Sequence, residues 1–335
     1  MGGYVGTDFS DVTDDLSCLD SKGRWFVCGY FEGPVLAFKF DTWTKAEVPL
    51  ARWSAVDQWQ THTSEADYVA QVELARQRIA RGDVYQVNVC RLLSAEWRAD
   101  NSHVVGLYKL LEQYNPAPMS SLLSVSDPKL RKFGLDEVQI ASASPEVFLQ
   151  RRGQVVSSSP IKGTAAPSED FLEKDVSENI MIVDLVRNDL SKVCDVASVT
   201  VPDLLVHENH PGLKHLVSRV EGRLQARATW SDIFAATFPP GSVTGAPKSS
   251  ALSLIAEVES ARNIYCGALG VVDADTHSAD LSVAIRTFWK NENRLWFGAG
   301  AGITWGSHPE QEWQETELKA RHLLSVAARS GEGSR

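Results

Sequence analysis

Lys162 lies in Ser159-Pro160-Ile161-Lys162-Gly163-Thr164, a stretch that reads as a short turn bounded by Pro and Gly. Just after it, a helix-like run over 170–190 places Asp175 and Glu178 three positions apart, ahead of an apolar stripe that includes Ile182 and Leu185. Near the C-terminus, Glu312, Glu315 and Lys319 fall at i, i+3 and i+7, one face of another helix. If the two acid pairs converge, they form an oxygen-rich site suited to Mg2+. That hard cation keeps several waters and takes one or two carboxylates plus substrate oxygens. Taken singly, a lysine in a turn and acids on a helix equally describe a solvated surface. Against that, Glu178 shares the stripe that should be buried, and buried carboxylates need partners.

Two glycine-rich stretches bear on the same question. Gly298-Ala299-Gly300-Ala301-Gly302 lacks the GxGxxG spacing and opens no helix at Ile303-Thr304-Trp305-Gly306, so a dinucleotide site is disfavoured. It reads instead as a strand-end loop that lets backbone approach an anion. The loop 241–245 precedes a helix start and offers N–H groups and hydroxyls to a carboxylate.

The positioning elements follow from periodicity. Residues 1–20 are rich in Gly, Asp and Ser and are expected to fray; 24–40 reads as two short strands. Ser64 caps a helix with Glu65 and Asp67 in its first turn, Tyr68, Val72, Ala75 and Ile79 on its apolar face, and Gly82 at its end. In the strand 84–92, Tyr85, Val87 and Val89 alternate with Gln86, Asn88 and Cys90, whose polar face is either solvated or a pocket wall. A helix over 103–114 stops at Asn115-Pro116, and strands follow near 120–125, 139–143 and 146–151. Further strands are expected at 196–201, 214–224, 268–272, 280–289 and 294–298, with helices at 231–238 and 249–259 and a His-containing loop (His207, His210). The last helix, 307–325, begins with a Ser307-x-x-Glu310 capping box. Strands outnumber helices without regular alternation, which points to an α+β fold with large antiparallel sheets.

Bulk properties narrow the function. The 335 residues carry a formal charge of -10, which argues against nucleic acid as a partner but not against a small anion held by a few local cations. Five scattered cysteines with no CxxC pair read as reduced thiols of a cytoplasmic protein. No apolar run approaches the roughly 20 residues of a membrane span, and no signal peptide is evident.

Read together and in order, several segments resemble the chorismate-utilising enzymes, most closely the aminodeoxychorismate synthase component I group. They are Asp83-Val84-Tyr85-Gln86-Val87-Asn88, Asn115-Pro116-Ala117-Pro118, Ser144-Pro145-Glu146, Pro160-Ile161-Lys162-Gly163-Thr164, the run 178–190, Gly245-Ala246-Pro247-Lys248 and the run 309–316. They span roughly residues 64–325. The resemblance implies two stacked, largely antiparallel sheets with helices outside. The expected organisation is a β-rich segment 1–62 completing a sheet, a chorismate-binding core 63–328 and a disordered tail 329–335.

The resemblance also implies roles. Glu178 and Glu315 would bind Mg2+, with Asp175 and Glu312 beside it, and the metal would hold the ring carboxylate of chorismate. Tyr265 and Arg286 match positions that bind the enolpyruvyl carboxylate, and an arginine suits that task as a two-pronged donor. Gly302 and Lys319 would line the substrate, with His215 and Ser242 near the ring. Glu146 matches a general acid for the departing C4 hydroxyl, a role that needs a carboxyl still neutral near pH 7. Lys162 matches a covalent nucleophile that anthranilate synthases typically replace by Ala. Such a lysine must first lose its proton, helped by a nearby cation or by desolvation. Gln86 stands where water-adding relatives carry a lysine base, which argues against isochorismate or salicylate synthesis. Only about 60 residues precede the core, so a reduced N-terminal sheet and no tryptophan inhibition are expected. Ammonia would come from a separate glutamine amidotransferase subunit or from free ammonium. The resemblance leaves anthranilate synthase component I as the rival activity, and a catalytically silent binding subunit as the rival of another class.

Overall fold

The computed structural model describes residues 3–97, 103–165, 170–171, 173–210 and 213–331. In chain order the strands are β1 (Tyr4–Thr13), β2 (Arg24–Gly29), β3 (Val35–Lys45), β4 (Gln60–Thr61), β5 (Gln86–Glu96), β6 (Ser121–Ser126), β7 (Glu137–Ser142), β8 (Val147–Arg152) and β9 (Val155–Ser159). They continue as β10 (Ile161–Ala165), β11 (Thr200–His210), β12 (Leu213–Arg223), β13 (Gly245–Ala246), β14 (Ala268–Asp273), β15 (Ser278–Val283), β16 (Thr287–Asn291) and β17 (Arg294–Ile303). The helices are α1 (Glu65–Ala80), α2 (Val104–Tyr114), α3 (Glu173–Ser191), α4 (Trp230–Thr237), α5 (Lys248–Val258) and α6 (Pro309–Ala327).

The strands form two antiparallel sheets, as the α+β expectation requires. A ten-stranded sheet runs β1-β3-β2-β14-β15-β8-β9-β12-β10, with β11 also on β12; a seven-stranded sheet runs β13-β5-β17-β16-β7-β6, with β4 on β5. Val27, Phe38, Leu149, Leu269 and Leu281 of the larger sheet share one buried apolar core with Val87, Val89 and Ile303 of the smaller. A second core packs α2 and α6 on the smaller sheet through Leu107, Leu111, Phe288, Phe297 and Leu323.

Several sequence expectations are corrected. The N-terminal residues do not fray: Tyr4–Thr13 pairs antiparallel with β3, and Phe9 packs on Phe38 and Phe40. Lys162 is not in a turn. Pro160 separates β9 from β10, and Lys162 lies in β10 at an irregular register against β12. The expected strand 280–289 is two strands in different sheets, because the chain crosses between sheets at Ala284–Arg286, where Arg286 takes φ 51°. His207 and His210 sit in β11, not in a loop. Of the tail 329–335, Gly331 pairs its backbone with Trp53, and residues 332–335 lie outside the described residues.

Each acid-bearing helix is fastened to a sheet by polar bonds as well as apolar contact. Asn179 of α3 donates to Leu216 O of β12 (3.1 Å) and accepts from Ser218 Oγ (2.5 Å). On α6, Thr316 accepts from buried Arg91 of β5 at 2.8 Å, and the Arg91 guanidinium lies 4.1 Å from the Trp313 ring centroid.

Candidate active site

β10 and α3 bring Lys162 onto Glu178, with Nζ 2.7 Å from Oε1; Gln86 Nε2 of β5 donates to the same oxygen at 3.1 Å. All three are buried or nearly so, and the Gln86 face of β5 is therefore not solvated. Burial alone would raise the Glu178 carboxyl, but the Lys162 charge and hydrogen bond hold it below its ordinary value. Burial likewise works against the Lys162 ammonium, yet Glu178 raises it above the usual lysine value. The expected loss of its proton is thus opposed in this state. Asp175 packs at Gly163, whose φ of 82° only glycine adopts without strain and where an added Cβ would stand 2.9 Å from the Asp175 Cβ.

Glu146 leads into β8, and its backbone is pinned on both sides. Its N–H donates to Ser144 Oγ at 3.3 Å, and its carbonyl accepts from Val283 N at 3.0 Å. The residue is 4% exposed, and its Oε1 has no hydrogen-bond partner among the described residues. Burial pushes the carboxyl up to about 7, against the hydrogen bond from Ser242, the Lys162 charge, the Ile161 N–H and the Lys319 charge. Glu146 in turn offsets part of the burial cost of Arg286, whose guanidinium is held below its usual value.

Ser242 belongs to a single 3-10 turn, Gly241–Val243, that is buried and held from two sides. Arg262 Nη1 donates to Val243 O (2.9 Å) and its Nη2 to Asn88 O (2.6 Å), its charge balanced by Glu259 at 2.7 Å. Lys248 bridges Thr237 O (2.8 Å) and Asp189 of α3 (2.6 Å). The loop 241–245 is therefore a buttressed wall.

On α6 the Ser307 capping box does not form. Ser307 Oγ accepts from Thr304 N at 3.1 Å, and His308 is the N-cap without a side-chain bond. Glu315 is half-exposed and pairs with Lys319 at 2.6 Å; Lys319 also donates to Gly300 O at 3.0 Å. The Glu315 carboxyl, which burial would raise, sits below its ordinary value because of Lys319, Lys174 and Lys162. Glu312 is buried, pairs through Oε1 with Lys174 at 2.6 Å, and leaves Oε2 with no hydrogen-bond partner among the described residues.

The glycine stretch is corrected from a loop to the interior of β17. Alternate glycines face one side. A Cβ on Gly298 would enter the Tyr265 ring, one on Gly300 would meet Cys90 Sγ at 2.7 Å, and one on Gly302 would overlap Glu178 Oε1 and meet Gln86 Nε2 at 2.8 Å. Gly302→Ala is expected to displace Glu178 and cost about 1–3 kcal/mol by overpacking. Thermal unfolding of the purified variant reads this, and an unchanged melting temperature would show that the space is not needed.

The acids fit Mg2+ by two observations. The donor set is carboxylate oxygen, and one buried oxygen of Glu312 lacks a partner among the described residues. Among the described residues no three His, Cys, Asp or Glu side chains are grouped so as to hold a metal ion by themselves.

Of the sequence candidates, Gln86, Glu146, Lys162, Glu178, Gly302, Glu315 and Lys319 are linked directly or through each other's charge, with Ser242 and Arg286 reaching Glu146. His215 is buried on β12 opposite Thr164, and Tyr265 is buried beneath Gly298. Sequence reasoning missed Lys174. It precedes Asp175 on the same turn as the acids, a signal that was there to be read. A separate cavity of about 600 Å3 lies away from the acids, lined by Tyr4, Arg24, Trp43, Tyr108, Leu122 and Asp273 among others.

A family model described as chorismate binding enzyme matches residues 35–325. Among curated relatives, "Aminodeoxychorismate synthase component 1" of Klebsiella aerogenes is 35% identical over 297 residues, 84% of this chain and 63% of that protein. "Anthranilate synthase component 1" of Neisseria meningitidis is 36% identical over 299 residues, 85% of this chain and 58% of that protein. The chain thus spans only 58–63% of the length of these relatives. The solved anthranilate synthase component I of Streptococcus pneumoniae superposes with a TM-score of 0.73 at 27% identity, over 96% of this chain and 80% of that one. With a family model over most of its length and relatives at this identity, the chain belongs to the chorismate binding enzyme family.

Proposed function

We propose that this protein aminates chorismate at C4, giving 4-amino-4-deoxychorismate, the precursor of p-aminobenzoate for folate. The observation that carries the reading is a buried amine and a buried, near-neutral carboxyl in one electrostatic cluster: Lys162 and Glu146 each feel the other's charge. Relatives with the printed name aminodeoxychorismate synthase component 1 support it.

In this reading neutral Lys162 Nζ forms a bond to ring C2. The ring double bonds shift, and the C4–O bond breaks as Glu146 donates its proton, so hydroxyl leaves as water. Ammonia then bonds to C4, the double bonds shift back, and Lys162 departs from C2. Lys162 can act only once its ammonium has lost a proton and left Glu178. Arg286 and Tyr265 hold the enolpyruvyl carboxylate, Gly302 and Lys319 line the substrate, and His215 and Ser242 flank the ring. Glu178 and Glu315, with Asp175 and Glu312 beside them, would hold Mg2+, which would supply positive charge for the ring carboxylate. Ammonia comes from a glutamine amidotransferase partner.

The second reading is anthranilate synthesis, favoured by an anthranilate synthase relative at 36% identity. Purified protein with chorismate, Mg2+ and ammonium, analysed with and without an aminodeoxychorismate lyase, separates the two. p-Aminobenzoate appearing only with the lyase supports amination at C4. Fluorescent anthranilate formed without it overturns that reading.

A further inference from the structure

The acid cluster contains a cation for which the proposed reaction has no use. Lys174, in the first turn of α3, reaches across to α6 and pairs with Glu312 at 2.6 Å. The two partners differ in freedom: the Lys174 side chain is 32% exposed and that of Glu312 is 3% exposed. Glu312 therefore stays in the site while Lys174 has a path into solvent. The second Glu312 oxygen is buried and has no hydrogen-bond partner among the described residues, so the carboxylate is only half satisfied by the lysine. Lys162 sits on Glu178 and Lys319 on Glu315, so each of these three acids carries one lysine. Lys162 and Lys319 have work at the substrate under the proposed function. Lys174 has none.

We propose that Lys174 is a displaceable counter-ion of Glu312, which keeps the acid pair of α6 assembled in the metal-free protein and competes with the divalent cation for that carboxylate. The inference rests on the Mg2+ reading above. Its physical basis is simple. Carboxylates gathered in a half-buried site repel one another unless a cation is present, and an ammonium on one of them opposes the entry of a second cation. Metal affinity before substrate arrives is thereby held low. A substrate that brings its own carboxylate adds negative charge and draws the metal in, so metal and substrate uptake become linked.

The test needs no turnover. Mg2+ is titrated calorimetrically, and Mn2+ by loss of its free electron-spin signal, into the full chain without substrate. Lys174→Met is expected to bind either ion about tenfold more tightly than wild type, which is about 1.4 kcal/mol. It should also melt at a lower temperature without metal and gain more from saturating Mg2+. Lys174→Arg, which keeps the charge, is expected to stay near wild type. If the Met variant does not fold, Lys174→Gln keeps a donor on Glu312 and carries the same expectation. Equal or weaker metal binding by the uncharged variants, with wild type binding normally, overturns the role of Lys174. Absence of binding by wild type and variants alike, both without and with chorismate present, overturns the Mg2+ reading itself, and this proposal with it.

Discussion

Glu146→Gln is expected to lower chorismate turnover by about 10²–10⁴-fold while leaving the fold intact, the loss that follows removal of a positioned general acid. The glutamine has nearly the same shape and keeps a donor, but it cannot give up a proton to a departing hydroxyl. The protonated fraction of this carboxyl falls as pH rises past about 7, where burial sets its titration; Lys162, Lys319, Arg286 and the hydrogen bond from Ser242 all face it. A stability signature accompanies this. The folded carboxyl titrates at about 7, above its ordinary 4.5, so the folded state binds this proton more tightly than the unfolded chain. The wild type therefore loses stability as pH rises from about 4.5 to about 7, and the loss is complete above that window. It amounts to about 3 kcal/mol on the scale of ~1.4 kcal/mol per pH unit. Glu146→Gln should thus gain on wild type in denaturant unfolding at pH 8 and lose that advantage near pH 4.5. A variant that keeps wild-type turnover would remove Glu146 from the reaction.

Lys162→Ala is expected to abolish both the covalent adduct with chorismate and the formation of 4-amino-4-deoxychorismate. The amine is the group that would bond to the ring, and no other lysine of the cluster lies on β10. Intact mass after mixing with chorismate reads the adduct directly, and an adduct at this position in the Ala variant is chemically excluded. If the adduct instead survives at another residue, the nucleophile is misassigned. The same substitution has a structural effect. Lys162 and Glu178 are a buried pair, with side chains 11% and 9% exposed, and removing the lysine strands a carboxylate whose remaining direct partner is the neutral amide of Gln86. Breaking such a pair costs about 3–5 kcal/mol. The metal-free Ala variant should therefore melt well below wild type, and Mg2+ should recover part of the difference if Glu178 binds it. A metal-free melting point equal to wild type would mean that the pair contributes little.

How much of this was legible in the sequence depended on whether a feature was local. α1 begins at Ser64, whose hydroxyl accepts from Asp67 N at 3.1 Å, as its cap pattern indicates. α2 ends where Asn115-Pro116 requires. The acid pairs on α3 and α6 were visible as spacing, but their meeting with lysines from β10 and from α3 itself was not, because it depends on how the helices dock on the sheets. Three local patterns misled, each for its own reason. Ser307 caps nothing on α6 because it turns back to Thr304. The run 280–289 alternates like one strand, yet Arg286 at φ 51° sends its halves to different sheets. Glycines 298, 300 and 302 looked like a loop because spacing cannot reveal that Tyr265, Cys90 and Glu178 need the emptied space.

The bare face of β17 limits how this site can diversify. At Gly298, Gly300 and Gly302 the strand carries no side chain of its own because Tyr265, Cys90 and Glu178 fill that space, and the Gly300 carbonyl engages Lys319. A side chain added at any of the three would push one of these groups out of place, so these positions have little room to vary. Any new chemistry on this scaffold has to be written on the facing walls, at positions such as 86, 146 and 162, where a single exchange alters charge without disturbing the floor.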